Sequence, residues 1–265
     1  MMKDLDQPAV PEAAVPEAAA PAAAAPVISA PGQVVRAELW GEPVFFTITR
    51  PRDAIQRRHR AGEFYEMEEL EIIRRWCPPG AVFCDIGTNI GNHSLFVLKF
   101  LRPAKVICFE PNPDAIAVLK SNLGLNGYLS DPRCDLSRLG FGLSDHDEDG
   151  LGIDAPATNL GAGRMVAKEG EGEGAGGGLS IRRGDDLLKG EVPSFLKIDV
   201  EGMEMQVLAG LADTIATHRP TIFVEVDADN RAAFTDWMTA HRYVAKANFR
   251  RYRRNENFLI VPRPR

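Results

Sequence analysis

The sequence predicts an α/β fold with a doubly wound, mostly parallel sheet. Apolar, strand-like runs alternate with helical patterns through most of the 265 residues, as they do in parallel sheets whose strands are connected by helices. Two such units come early, because residues 82–94 and 105–125 each read as a strand, a turn and a helix. Two consecutive strand-like runs, around 243–247 and 258–261, predict an antiparallel hairpin at one edge of the sheet.

Composition separates an N-terminal tail from the rest of the chain. Residues 1–32 are rich in Ala, Pro, Glu and Val, and their frequent prolines would interrupt any helix. We therefore expect a disordered tail. Residues 33–80 should pack on the core as a separate unit, because 34–50 alternates like a β-hairpin and 53–76 has apolar residues at helical spacing.

The main domain is expected to span residues 81–265. Its strands are predicted from apolar runs bounded by turn residues, at 82–84, 105–110, 139–143, 195–200 and 221–226. Helical patterns follow at 92–101, 112–125, 202–218 and 230–241. A flexible insertion is expected at about 146–180, since the run E-G-E-G-E-G-A-G-G-G at 169–178 cannot form a core.

Composition also limits the function classes. A net charge of -6 gives no general affinity for nucleic acid or membranes. The four cysteines form no C-x-x-C pair, so neither a zinc site nor a disulfide framework is expected. The chain lacks both a long apolar run and a signal-peptide pattern. We expect a cytoplasmic protein without a membrane span.

The turn D-I-G-T-N-I-G, residues 85–91, follows the first core strand. Dinucleotide folds have G-x-G-x-x-G here, because bare backbone must approach a pyrophosphate. In this chain Asp85 comes first, and Asn89 stands between Gly87 and Gly91 where a central glycine would lie. S-adenosylmethionine (SAM) has no phosphate and is net positive, so a carboxylate near its ammonium group is favourable. The turn therefore favours SAM, the alternative being that Asp85 only caps a helix.

Glu110 ends the second strand, 25 positions after Asp85. Its carboxylate can accept hydrogen bonds from both ribose hydroxyls, as the acidic residue of NAD sites does. Ribose recognition alone does not separate SAM from NAD, so the choice between them depends on the first turn.

A second group of charged residues occupies L-K-I-D-V-E-G-M-E, residues 196–204. If Lys197 is buried in a strand it needs a carboxylate partner, which Asp199 or Glu225 could supply. Ligands of α/β sheets bind at the carboxyl ends of strands. We expect one crevice to be lined by the carboxylates at predicted strand ends: Asp85, Glu110, Asp199 and Glu225. The alternative is a structural ion pair of Lys197 beside a solvated helical turn.

Four stretches together resemble the FkbM-type SAM-dependent methyltransferases: V-F-C-D-I-G-T-N-I-G-N-H-S, C-F-E-P-N-P, L-K-I-D-V-E-G-M-E-M-Q-V-L-A-G and P-T-I-F-V-E. The resemblance covers roughly residues 60–230. It implies a seven-stranded, Rossmann-like class I methyltransferase sheet with SAM as cofactor. It also implies O-methylation of a hydroxyl on a sugar, glycan or secondary metabolite, so that a small molecule or glycan is the expected partner.

The resemblance also implies roles for individual residues. The implied cofactor residues are Asp85, Gly87, Asn89 and Gly91 in the SAM loop, Glu110 at the ribose, and Ser144 and Asp145 beside the adenine. The stretch T-N-L-G at 158–161 resembles a recurring one in the family whose role is not assigned. The Glu/Gly-rich run and the Ala/Pro-rich tail depart from the family pattern.

Methyl transfer to a hydroxyl also needs a general base, because the hydroxyl must lose a proton. Asp199 is the first candidate, since it ends the central strand beside the expected methyl donor. His93 is the second, because it is near the loop and its ordinary pKa is suitable. No metal is expected, since the alternative arrangement of Asp199, Glu201 and Glu225 around a divalent ion has no His or Cys to support it.

Three other functions fit parts of the sequence. An NAD-dependent oxidoreductase shares the sheet class but would need G-x-G-x-x-G. A nucleic-acid methyltransferase or binder could use the arginines that alternate with aromatic residues near the C-terminus: Arg250, Arg251, Arg253 and Arg254. No N-P-P-Y-like element accompanies them, so nucleic acid is not the expected partner. A SAM-binding scaffold without catalysis is disfavoured by the intact set of motifs.

Overall fold

The computed structural model describes residues 32–154, 164–166, 178–251 and 253–264. The expected disordered tail up to residue 31, the stretch 158–161 and most of the Glu/Gly-rich run lie outside these residues. The strands are β1 (Gln33–Leu39), β2 (Glu42–Ile48), β3 (Val82–Ile86), β4 (Lys105–Phe109), β5 (Cys134–Asp135), β6 (Phe141–Ser144), β7 (Glu148–Asp154), β8 (Arg164–Val166), β9 (Leu179–Arg183), β10 (Phe195–Ile198), β11 (Thr221–Asp227), β12 (Tyr243–Phe249) and β13 (Asn255–Pro262).

The helices connect these strands. They are α1 (Ala54–Arg60), α2 (Met67–Trp76), α3 (Asn92–Phe100), α4 (Pro113–Leu125), α5 (Gly184–Leu187), α6 (Glu204–Gly210), α7 (Ala212–His218) and α8 (Arg231–Ala240), with a 3₁₀ turn at Ala228–Asn230. Among the described helices, none combines the length and the apolar character needed to cross a bilayer.

A seven-stranded sheet forms the centre of the fold, in the order β12-β13-β11-β10-β3-β4-β5. Strands β5, β4, β3, β10 and β11 pair in parallel, whereas β13 is antiparallel to both β11 and β12. The predicted mostly parallel, seven-stranded sheet with an antiparallel C-terminal hairpin is confirmed. The chain leaves β3 towards one edge and later returns to β10 on its other side, and ligands of α/β sheets bind at such a reversal of strand order.

The two faces of the sheet are covered by separate apolar clusters. Phe83 of β3 and Phe195 of β10 stack on one face with their ring centroids 5.1 Å apart. The next residues along these strands, Cys84 and Leu196, are fully buried in the cluster on the other face. Burial on both faces explains the continuous apolar runs in the sequence, since central parallel strands have no solvent side.

The third strand of the main sheet is not where the sequence predicted it. Cys134–Asp135 forms β5 and pairs with Val106 and Ile107 of β4. The predicted run at 139–143 contributes instead to β6, which pairs in parallel with β9 in a second sheet. A two-residue edge strand is too short to show any hydrophobic periodicity, so the longer apolar run was chosen in its place.

The second sheet has the order β6-β9-β7-β8 and contains the described part of the expected insertion. The described part of the expected insertion thus contains strands that the sequence did not predict, and its flexibility stays a prediction. Leu151 and Ile181 are buried in this sheet. Short strands that alternate with polar residues were not distinguished from a loop in the sequence.

Residues 53–76 form two helices rather than the one that their spacing suggested. The break follows Arg60, and Gly62 there has a φ of 78°, a left-handed conformation that commonly ends helices. Glu66, just before α2, also has a positive φ of 57°. Apolar spacing continues across the break, which hides it in the sequence, and the break brings the Glu66 side chain to the central cavity.

The N-terminal hairpin packs against α4 through amide side chains. Asn126 accepts a hydrogen bond from the Phe45 backbone N–H at 3.1 Å and donates one to the Phe45 carbonyl at 2.7 Å. Asn122 accepts one from the backbone N–H of Thr47 at 2.7 Å. These amides satisfy the free backbone groups of β2 as a neighbouring strand would.

Candidate active site

A cavity of about 300 Å³ lies at the carboxyl ends of β3, β4, β10 and β11. One part of it, called the loop end here, is lined by Gly87, Thr88, Asn89, Glu110, Asn112, Gly142 and Leu143. The other part, the acidic end, is lined by Tyr65, Glu66, His93, Asp199, Glu201, Glu225 and Asn255. The predicted crevice at the strand ends is thus present, and most of the predicted site residues lie on its walls.

The turn after β3 is held by backbone hydrogen bonds. The N–H groups of Gly87 and Thr88 both donate to the Phe109 carbonyl, at 3.0 Å each. Gly87 has a φ of 78°, and a Cβ placed on it would lie 1.9 Å from the Asp199 carbonyl oxygen. Only glycine fits there, because the ends of β3 and β10 approach each other so closely. Gly91 is similarly restricted, since a Cβ on it would lie 2.5 Å from Leu119 Cδ1.

Glu110 is held by the two segments that flank the loop end. Its Oε2 accepts a hydrogen bond from the Asn89 backbone N–H at 2.8 Å, and its Oε1 accepts one from the Asn112 N–H at 2.9 Å. Burial raises the pKa of Glu110 to about 7, although these two donors oppose the increase. The carboxylate is therefore fixed in position, and its remaining lone pairs are available to a ligand.

Asp85 lies beneath the cavity and does not line it. The carboxylate is fully buried, accepts a hydrogen bond from Ser94 Oγ at 2.6 Å, and lies 3.1 Å from Lys197 Nζ. This corrects the expectation that Asp85 lines the crevice, and the physical reason is the strand register. Asp85 is still within β3 and directly opposite Lys197 of β10, so the two charges pair inside the sheet.

Lys197 connects the two ends of the cavity. Its Nζ donates a hydrogen bond to the Gly87 carbonyl at 2.7 Å and lies 3.6 Å from Asp199 Oδ2. Burial would lower the pKa of Lys197, but the carboxylates of Asp85 and Asp199 raise it above its usual value. The lysine is therefore charged, and the partners that the sequence suggested are only partly right, because Asp85 rather than Glu225 supplies the second carboxylate.

Three carboxylates converge at the acidic end. Oxygen atoms of Asp199, Glu201 and Glu225 all lie within 4.8 Å of one another. Asn255 donates a hydrogen bond to Glu225 Oε2 at 2.9 Å. Burial raises the pKa of Glu225 to about 10, and repulsion from Asp199 and Glu201 adds to the increase. Like charges held this close favour a proton or a cation between them.

Glu66 and His93 form the opposite wall of the acidic end. Their side chains are 12% and 7% exposed, and His93 Nε2 lies 3.7 Å from Glu66 Oε2. Burial raises the pKa of Glu66 to about 8, with a further contribution from Asp199. Burial lowers the pKa of His93 to about 4, so the imidazole is neutral. Asn92 fixes this wall, since its amide exchanges two hydrogen bonds of 2.9 Å with the backbone of Tyr65.

The residues of β6 that line the cavity come two positions earlier in the sequence than the predicted pair. Gly142 and Leu143 line the loop end, whereas Ser144 and Asp145 are absent from the described lining. Ser144 is fully buried under α6, and Asp145 is exposed and pairs with His146 Nδ1 at 2.7 Å. A contact of Ser144 or Asp145 with a cofactor stays a prediction.

Comparison with known proteins identifies the family. Residues 85–251, which are more than half of the chain, match the family model described as "Methyltransferase FkbM domain". The chain belongs to the FkbM methyltransferase family. It is therefore a methyltransferase enzyme, and the resemblance seen in the four sequence stretches is confirmed.

Curated relatives of this FkbM methyltransferase are identical to it at about a quarter to a third of the aligned residues. The hexuronic acid methyltransferase AglP of Haloferax volcanii is 27% identical over 72% of this chain and 74% of its own length. The 2-O-methyltransferase NoeI of Sinorhizobium fredii is 27% identical over 56% of this chain and 65% of its own length. The methyltransferase sdnD of Sordaria araneosa is 30% identical over 51% and 61%, so two of these matches span less than two thirds of the relative.

Solved structures with a similar chain path include methyltransferase FkbM from Methylobacillus flagellatus KT. It is 18% identical with a TM-score of 0.46, and the match covers 68% of this chain and 43% of that chain. The tRNA methyltransferase TrmK of B. subtilis is 13% identical with a TM-score of 0.49, covering 76% of this chain and 67% of that chain.

Three of the four clustered arginines near the C-terminus of this FkbM methyltransferase pair with carboxylates of the same chain. Arg251 pairs with the fully buried Glu69 at 2.6 Å, and Arg254 pairs with Asp227 at 2.9 Å. Arg250 lies 2.8 Å from Glu256. The cluster therefore ties the β12–β13 turn to its surroundings beside the acidic end, and much of the charge that suggested nucleic-acid binding is neutralised.

Three residues of the acidic end were not predicted from the sequence: Tyr65, Glu66 and Asn255. Glu66 was read as part of a continuous helix, and only its left-handed backbone makes it a wall of the cavity. Asn255 belongs to a late strand and reaches the site only because β13 pairs with β11. Gly62 was the available signal for the break before Glu66, because a glycine just after the last helical residue commonly ends a helix.

Proposed function

We propose that this methyltransferase uses SAM to methylate a hydroxyl group on a sugar, glycan or secondary metabolite. The observation that carries the proposal is one cavity whose loop end presents Glu110 and the Asn89 turn, and whose acidic end presents carboxylates to the same space. The names of AglP and NoeI, a hexuronic acid methyltransferase and a 2-O-methyltransferase, support a sugar as acceptor.

The loop end offers groups that SAM would use. When bound, SAM supplies an activated methyl group on a sulfonium, so that positioning supplies much of the rate. The lone pairs of Glu110 left free by Asn89 and Asn112 would accept the ribose hydroxyls. Gly87 lets the turn lie against the Asp199 carbonyl, where a Cβ would clash, and Gly142 and Leu143 would flank the adenine.

Lys197 and Asp85 act from beneath the cofactor. Lys197 holds the Gly87 carbonyl and so fixes the turn on which the methionyl part of SAM would lie. Asp85 neutralises that lysine from within the sheet, which keeps the site from repelling a cationic ligand. Asp85 would therefore act on the ligand only electrostatically and through Lys197, without touching it.

Removal of the acceptor proton falls to Asp199 or His93. Asp199 lies at the end of β10, and its side chain is 34% exposed to the cavity. His93 is neutral because burial lowers its pKa to about 4, so its free nitrogen can also accept a proton. Asp199 is the first candidate, because within the acidic end it lies 3.6 Å from Lys197 Nζ, which in turn donates to the Gly87 carbonyl of the loop end, so methyl donor and acceptor would meet near it.

The test is a comparison of cofactor binding with turnover in the Asp199→Asn variant. Calorimetric titration of the full chain should give binding of SAM and none of NAD. A panel of sugars, lipids and small hydroxylated metabolites then identifies an acceptor by SAM consumption. With that acceptor, Asp199→Asn should lower kcat by about 100-fold or more while SAM affinity changes little.

Asp236→Asn is the matched control, because Asp236 is an exposed residue of α8 and is not among the residues that line the cavity. It should leave both kcat and SAM affinity unchanged. Binding of NAD without SAM would contradict the proposed function, and an unchanged kcat in Asp199→Asn would contradict the role of Asp199 alone.

A further inference from the structure

The carboxylates of the acidic end are spaced like the ligands of one metal ion. Oxygens of Asp199, Glu201 and Glu225 lie within 4.8 Å of one another, each residue offering one atom. Oxygens that share an ion at about 2.1–2.5 Å are at most about 5 Å apart. A single ion can therefore contact all three side chains without a large movement of the backbone.

Rigid elements hold these carboxylates in place. Asp199 follows the last residue of β10, and Glu225 lies within β11, the adjacent strand. Glu201 lies in the turn between β10 and α6, with a positive φ of 47°. Glu225 is also oriented by the Asn255 amide, which donates a hydrogen bond to its Oε2 at 2.9 Å.

The acidic end has little positive charge to balance these groups. Of the residues that line the cavity in the described parts of the chain, Lys197 is the one permanent cation. It is already held by Asp85 at 3.1 Å and by the Gly87 carbonyl at 2.7 Å. Glu66 adds a fourth carboxylate on the facing wall, so the space between the walls is strongly favourable for a cation.

A second, independent observation points to a ligand in the same space. His93 Nε2 is buried, only 7% of the side chain is exposed, and this nitrogen has no hydrogen-bond partner among the described residues. It belongs to the same wall of the acidic end as Glu66, and it lies 3.7 Å from Glu66 Oε2. Buried polar atoms are nearly always paired, so an atom left without a partner indicates a missing group in the cavity.

We propose that Asp199, Glu201 and Glu225 bind a divalent cation of the Mg²⁺ or Mn²⁺ type, with His93 Nε2 directed at the ion's water or at the acceptor. Three oxygen ligands suit a hard cation that keeps other positions open for water and substrate. The ion would bind the hydroxyls of the acceptor and lower the pKa of the one that is methylated. With Asp199 engaged as a ligand, His93 Nε2 would take the hydroxyl proton, while the oxygen takes the methyl group and the sulfonium leaves as the neutral thioether. This catalytic use rests on the proposed function, whereas the binding site itself does not.

Titration of the metal-free full chain with Mn²⁺, followed by electron paramagnetic resonance, tests the site without any acceptor. We expect one Mn²⁺ per chain and displacement by excess Mg²⁺. Glu201→Gln should weaken Mn²⁺ binding by at least about tenfold. Glu71→Gln is the matched control, because Glu71 is an exposed glutamate paired with Arg74 on α2, and it should bind Mn²⁺ like the wild type.

A second variant keeps the test decisive if Glu201→Gln does not fold. Glu225→Gln retains an oxygen for the Asn255 amide while removing the charge, and it should also weaken Mn²⁺ binding. Absence of a stoichiometric Mn²⁺ site in the wild type, or equal affinity in either folded variant, would overturn the proposal. Mn²⁺ binding in a chain that does not bind SAM would leave the cation site standing and contradict the proposed function instead.

Discussion

The two ends of the cavity are constructed in different ways. The loop end consists mainly of backbone groups from two consecutive strand-turn-helix units, with Glu110 fixed by the N–H groups of Asn89 and Asn112. The acidic end consists of side chains from distant segments, among them Glu66, His93 and Glu225. Backbone groups are placed by the fold itself, whereas these side chains meet only after the sheet and the hairpin have formed.

The difference also appears in the electrostatics. At the loop end the carboxylate of Glu110 has two backbone donors, and at the sheet level Asp85 has Lys197. At the acidic end burial raises the pKa of Glu66 to about 8 and that of Glu225 to about 10. The loop end is thus organised before a ligand binds, while the acidic end gains most from one.

Lys197 joins the two ends, so replacing it should have the largest effect. Lys197→Met leaves Asp85 fully buried without its cation, and the free energy of unfolding should fall by about 3–5 kcal/mol. The double variant Asp85→Asn with Lys197→Met removes both charges and should lose clearly less than the sum of the single variants. Urea unfolding of the wild type, the two single variants and the double variant measures this coupling. Additive losses of unfolding free energy would show that Asp85 and Lys197 do not stabilise each other.

Gly87 tests whether the loop end depends on backbone shape. Gly87→Ala places a Cβ 1.9 Å from the Asp199 carbonyl oxygen and should lower the free energy of unfolding by roughly 3 kcal/mol, with loss of SAM binding. Gly80 has a similar φ of 74° with nothing within 4 Å of a Cβ. Gly80→Ala should therefore lose only about 1 kcal/mol and bind SAM normally. Urea unfolding measures the stability loss and calorimetry the SAM affinity. Similar losses in the two variants would contradict the close approach of Gly87 to the Asp199 carbonyl.

The same contrast explains what could be predicted from the sequence. The turn at 85–91 and Glu110 were located correctly, because a strand, a glycine turn and a carboxylate at the next strand end are local patterns. Asp85 was assigned to the right turn but to the wrong depth, since its partner Lys197 is 112 positions away. Glu66 was missed because a helix break inside an apolar repeat leaves no signal in the spacing.

Prediction of the fold from the sequence was limited in the same way. Long, buried strands such as β3 and β11 were recognised from their apolar runs, and the antiparallel C-terminal hairpin was recognised from two strands without a helix between them. The two-residue β5 and the second sheet were not. Their pairing is decided by tertiary contacts rather than by any pattern within the segments themselves.

The smallest effect is expected from the charge state of Glu110, and it separates the two ends by their pH dependence. Burial raises the pKa of this carboxyl from 4.5 to about 7, so the unliganded fold holds a proton that the unfolded chain has released. Stability of the unliganded chain should therefore fall as the pH rises from about 4.5 to 7.

Cofactor binding should change in the opposite direction, because only the ionised carboxylate of Glu110 accepts both ribose hydroxyls. SAM affinity should increase by about tenfold between pH 6 and pH 8, the change expected when a group with a pKa near 7 becomes ionised. Glu110→Gln keeps the size of the side chain and cannot titrate, so this part of the pH dependence should disappear. Calorimetric titration of both chains at several pH values checks the prediction. An equal pH dependence in the two would mean that the cofactor responds to the carboxylates of the acidic end rather than to Glu110, and the two ends would then act on SAM as one site.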